Sequence, residues 1–310
     1  MLSVKPWKLD AIVRLFVSVF VCMFTGSLIE SVLVFFSEPK HPKIIPFLAC
    51  SGGALLFFAG ALFFLGRSWT FENLRRHFIG VIVCVYGGFT LGWLAAHVQK
   101  PSAGLDNATL KTLLAVLSFQ GAALVLAHRF VREHQVGWTD AFGLKNNRRQ
   151  ALALGFFVMF SALPICWILQ MLSVSALQHL HIEAPEQTAV KILRGTDTML
   201  NRIVLGIAAI GIAPVAEEIL FRGILYPAIK QSGFPRLAIW ITSLLFGAIH
   251  LNLVTFIPLT LLALLLVWLY EKTDNLLACI TLHSLFNAAN FAMIYILPWL
   301  ADRFPQLAPS

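Results

Sequence analysis

Residues Ala213–Leu225 read APVAEEILFRGIL, two adjacent carboxylates and an arginine inside a run that is otherwise apolar. A charge in hydrocarbon costs roughly 2.5 to 3.5 kcal/mol on insertion scales, so ionisable groups at membrane depth face a protein interior and carry function. Whether this stretch lies at such depth is decided by what surrounds it. The chain has 310 residues, of which 58% are hydrophobic and only 12% charged, and its mean hydropathy is +0.80. That is more apolar surface than one soluble core can hide, and it points to a polytopic membrane protein.

Apolar runs long enough to cross as helices fall near 12–36, 45–66, 78–98, 109–128, 150–174, 199–226, 236–250, 254–270 and 276–299. The expected fold class is all-α, a membrane helical bundle of about eight or nine transmembrane helices. The run at 236–250 is short, because ~15 residues rising ~1.5 Å each do not cross ~30 Å of hydrocarbon. The first run is too long for the apolar part of a signal peptide and has no small-residue cleavage site, so it reads as a retained span. With alternating spans and the N-terminus in the cytoplasm, 15 of the 23 lysines and arginines are cytoplasmic, which the positive-inside rule favours. The net charge of +8 then reflects loop bias and contact with anionic lipid, and no nucleic-acid partner is expected. An integral protein of the cell membrane follows.

Residues 1–135 are expected to form N-terminal membrane helices without a motif. Residues 150–300, with a core at 199–295, form a second membrane domain after the basic connector near 129–150. The five cysteines, Cys22, Cys50, Cys84, Cys166 and Cys279, lie in apolar segments and read as buried small hydrophobes. His179 and His181, in the polar stretch 178–197, read as part of a solvated loop or interfacial helix. Glu30 is the one acid of the first span.

Three polar clusters occupy predicted membrane helices in the last hundred residues. Glu218 and Arg222 are four apart and share a helix face, which favours an ion pair, while Glu217 is rotated about 100° and left for another task. Phe246 and His250 form the second cluster. His283 and Asn287, again four apart, point the same way and suit an oxyanion. Glu217 with a histidine from another helix can hold a water and act as its general base. The expectation is that Glu217 and His250 activate water, Glu218 and Arg222 support the helix, and His283 and Asn287 stabilise a tetrahedral intermediate of amide hydrolysis. If Glu217 lies near the cytoplasmic end of its helix, His250, fourteen residues from Arg236, is too deep, which predicts either a helix that begins deep after Gly233-Phe234-Pro235 or an oblique or re-entrant one, in both cases beside a cavity.

These clusters, EEILFR at 217–222, FGAIH at 246–250 and HSLFN at 283–287, resemble the motifs E-E-x-x-x-R, F-x-x-x-H and H-x-x-x-N of the CAAX protease and bacteriocin-processing family. Pro214 and Gly223 also resemble that family, and the likeness covers roughly 200–295. It implies an intramembrane glutamic endopeptidase with a catalytic cavity open to the cytoplasm. The implied partners are membrane lipid and a peptide or lipidated protein substrate. No cofactor is expected. The alternative within enzymes is a zinc protease using Glu217, Glu218, His250 and His283, although zinc sites favour His and Cys with one carboxylate, and no H-E-x-x-H occurs. The non-enzymatic alternative is a membrane scaffold or immunity protein.

Overall fold

The computed structural model describes residues 2–37, 112, 115–184, 186–195 and 199–303. Among these residues every regular element is helical and there is no strand. The expected spans at 45–66 and 78–98 lie outside the described residues, as does the start of 109–128. The chain divides into two compact units, Trp7–His134 and a second made of Met1–Pro6 with Gln135–Ser310.

In the first unit, α1 (Leu9–Ser37) packs with α2 (Ala122–Glu133), which is preceded by a wide turn at Leu117–Gly121. Arg14 bridges Asp10 at 3.1 Å and also reaches Glu133. The backbone N–H of Lys8 donates to His134 Nε2 at 3.0 Å, and Trp7 packs on the rings of Phe130 and His134. Glu30 falls on α1, and its side chain lies outside the described set.

The second unit contains α3 (Trp138–Ala141), α4 (Arg148–His179), α5 (Thr188–Arg194), α6 (Met199–Gln231), α7 (Pro235–Ala248), α8 (Leu253–Thr273) and α9 (Leu276–Arg303). Of these, α4, α6, α8 and the part of α9 from Leu276 to Ile296 are long and apolar enough to cross a membrane. This is an integral membrane protein. Phe157, Phe160, Ile168, Met171 and Leu172 stand exposed along α4, as expected of a face turned to lipid. Where α4 meets α9 the contact is closer than side chains allow: a Cβ on Gly155 would lie 2.5 Å from the carbonyl oxygen of Ala278. Cys166 and Cys279 are buried and unbridged.

Short polar links hold one end of this unit together. Leu276 N–H donates to Phe142 O at 3.0 Å, Asn146 Nδ2 donates to Asp274 O at 3.2 Å, and Tyr226 Oη donates to Glu271 at 2.8 Å. The N-terminal residues join the same end, where Lys5 lies 3.6 Å from Asp274. Burial lowers the Lys5 ammonium from its ordinary value, and Asp274 pulls in the opposite direction.

The hairpin of α6 and α7 departs from expectation. The span predicted to end at 226 continues to Gln231, so Glu217 lies mid-helix and not near its end. Two segments of α6, Ile207–Ile212 and Ile219–Leu225, are wound more widely, with backbone bonds reaching five residues back. Pro214 and Pro227, each without an N–H, sit just after these segments, where the ordinary ladder is already shifted. Gly233, at φ +94°, makes the turn, and Pro235 starts α7 with its φ already suited to a helix.

Candidate active site

The turn at Gly233 places the site. Glu217 lies sixteen residues before it and His250 seventeen after it, so two antiparallel helices rising equally per residue bring both to one level. Contacts partway down the hairpin agree: the rings of Phe221 and Phe246 meet edge to face at 5.4 Å, and the Arg222 guanidinium lies 4.5 Å from the Phe246 centroid. The carboxylates and His250 are one further turn from Gly233 on their respective arms. No oblique or re-entrant segment is needed to account for His250. The apparent excess depth came from placing Glu217 at the end of a helix that in fact runs on for fourteen more residues.

The interior is a chain of polar groups. Arg222 and Glu218 are both fully buried, and Nη1 donates to Glu218 Oε1 at 2.9 Å, the ion pair that their spacing predicts. Arg222 Nη2 donates to the carbonyl of Ala263, the central residue of α8, at 3.3 Å. His283, 3% exposed, donates from Nδ1 to the same Glu218 oxygen at 2.8 Å. Its Nε2 stands 3.9 Å from Glu217 Oε2, too far for a direct hydrogen bond. Glu218 thus accepts from α6 and α9 together, while Glu217, 7% exposed, is the carboxylate with room for another partner.

His250 is half-buried just past the end of α7. Its Nδ1 lies 2.7 Å from Phe246 O, and since a carbonyl only accepts, Nδ1 carries a hydrogen, which in the neutral ring leaves the lone pair on Nε2. The backbone leaves α7 here through Leu251, at φ +50°. The next helix is then capped by Asn252, whose Oδ1 accepts from Thr255 N–H at 3.0 Å. Asn287 donates from Nδ2 to Ala209 O at 2.8 Å, which orients its carboxamide and leaves a second N–H.

Phe246 was only the first letter of a weak motif in the sequence. In the fold its ring, fully buried, touches Arg222 and packs against His283 at 5.5 Å and His250 at 5.2 Å. Asn290 also escaped notice, though it continues the face of His283 and Asn287 at helical spacing. It accepts from Trp167 Nε1 at 3.0 Å and so ties α4 to that face. Among the described residues no group of three or more His, Cys, Asp or Glu gathers in a way that would hold a metal ion. The four residues considered for zinc do not form such a set, and one Glu218 oxygen is already taken by two donors.

Residues 199–289, under a third of the chain, match the family model described as type II CAAX prenyl endopeptidase Rce1-like. This segment is similar to Rce1-like domains. It contains α6, α7 and α8 and the part of α9 that bears His283 and Asn287. The UPF0177 protein YxdF of Lactococcus lactis subsp. lactis (strain IL1403) is 29% identical over 112 residues, which are 36% of this chain and 57% of that protein. The chain thus spans a little over half the length of the curated relative it matches. No solved structure matches the chain.

Proposed function

We propose that the protein is an intramembrane endopeptidase, cleaving a peptide bond of a membrane-associated or C-terminally lipidated peptide with activated water. The observation that carries this reading is the unequal partnering of the two acids. Glu218 Oε1 accepts from both Arg222 and His283, whereas Glu217 stands 3.9 Å from its nearest charged partner and, by residue count, at the level of His250, whose neutral ring offers Nε2 as the base. A water held between them loses its proton to that base and attacks the carbonyl carbon of the scissile amide. The oxyanion that forms accepts from the second N–H of Asn287 and from His283 Nε2–H. Two carboxylates and one guanidinium leave one negative charge, which an imidazolium at His283 balances in a buried site. The proton taken from water then passes to the leaving amine as the carbon–nitrogen bond breaks.

The catalytic cavity is proposed to open to the cytoplasm, with the bundle oriented N-terminus in. No step is routed through a metal. The test is proteomic: membrane fractions of cells making wild-type protein should contain new peptide C-termini that vanish with Glu217→Gln and with His250→Ala, both variants staying folded and at normal abundance. Unchanged C-termini in both variants would sink the reading and favour a scaffold.

A further inference from the structure

Resting on that reading, we infer that Pro214 is a positioning residue for Asn287, acting through a backbone carbonyl that it leaves unclaimed. In the widely wound segment of α6 the N–H of Ala213 donates to Ala208 O, five residues back. The next residue in this register, position 214, should serve Ala209 O. It is a proline, buried, with no N–H to give. A partly buried carbonyl without a donor in an apolar helix bundle is costly, so a side chain from elsewhere is drawn to it. Asn287 Nδ2, 78 residues away on α9, fills the position at 2.8 Å.

The consequence reaches the chemistry. A carboxamide can turn over about its last bond, presenting oxygen where nitrogen stood. The Ala209 carbonyl accepts only, so it holds the NH2 end toward α6 and fixes the plane of the amide. The second N–H of Asn287, the one assigned to the oxyanion, is then aimed by a proline on another helix. Pro214 touches no reacting atom, and its effect is expected in turnover and not in substrate binding.

Restoring the N–H tests this. Pro214→Ala in the full-length protein should lower kcat roughly tenfold, short of the ~10²-fold expected for removing an oxyanion donor outright, with KM unchanged. In an Asn287→Ala background the same change should have no further effect, because there is no amide left to aim. Replacing Pro214 by lactate, which has alanine's shape and an ester oxygen in place of N–H, should return kcat to within about twofold of wild type, on the same tenfold scale. Wild-type kcat in Pro214→Ala, equal losses in both backgrounds, or a lactate variant as slow as the alanine one would each overturn the inference. Thermal unfolding of the same four proteins in detergent decides the matter without peptidase activity. Tm shifts of Pro214→Ala and Asn287→Ala that fail to add support the coupling, and additive shifts overturn it, even if the wild type cleaves nothing.

Discussion

At Glu218 every strong interaction is internal: a guidinium from one turn along, an imidazole from α9, and no exposure to solvent. Breaking such a pair strands a buried charge, so Arg222→Met should destabilise the protein by about 3–5 kcal/mol, read as a lowered unfolding midpoint in detergent. Adding Glu218→Gln to it should recover part of that loss, since the stranded charge is gone. Glu217→Gln should barely move the midpoint while abolishing cleavage, because the nearest charged group, His283 Nε2, stands 3.9 Å away, beyond hydrogen-bond distance. The Glu218–Arg222 pair was legible from spacing alone, as residues four apart share a helix face whatever the tertiary context. The partners beyond the helix were not. That His283 would join Glu218, and that Asn287 would find Ala209, depends on which faces of α6 and α9 meet and on a backbone register that apolar periodicity does not encode.

At the level of helices, close approach is bought with glycine. A Cβ on Gly247 would fall 2.5 Å from Thr260 Oγ1 and 2.9 Å from the Phe256 carbonyl, and one on Gly155 would strike the Ala278 carbonyl. Backbone cannot rotate away, so Gly247→Ala and Gly155→Ala should each lower the unfolding midpoint by forcing α7 from α8 and α4 from α9. Gly211 offers the contrast. Nothing lies within 4 Å of its would-be Cβ, and Gly211→Ala should be neutral or raise stability by up to about 1 kcal/mol through helix propensity. From composition one reads that α4, α6, α8 and α9 span, because twenty or so apolar residues have few other uses. The apolar run ends at Tyr226, yet α6 continues through Pro227 to Gln231, because in a widely wound helix the missing N–H costs little.

On the scale of the molecule, the links among the α3–α4 loop, the α8–α9 turn and the end of α6 gather Lys145, Arg148, Lys230 and Lys272 at one end of the second unit. Tyr295 and Leu193 join at the other end, near the Arg194–Glu186 pair. In the orientation proposed above, which the positive-inside rule favours, the first end faces the cytoplasm. In intact cells a membrane-impermeant maleimide should therefore label Glu183→Cys and spare Lys145→Cys until the membrane is opened; the opposite pattern would invert the orientation. The hairpin around Gly233 carries a further implication, about length. It works as a gauge, with Glu217 and His250 meeting only because its two arms count out nearly the same number of residues. One residue inserted into either helix would turn everything beyond it by about 100° and slide it ~1.5 Å, parting the acid from the histidine. Ser232–Phe234, which belong to neither helix, are the place where the chain between them can grow or shrink without losing the match.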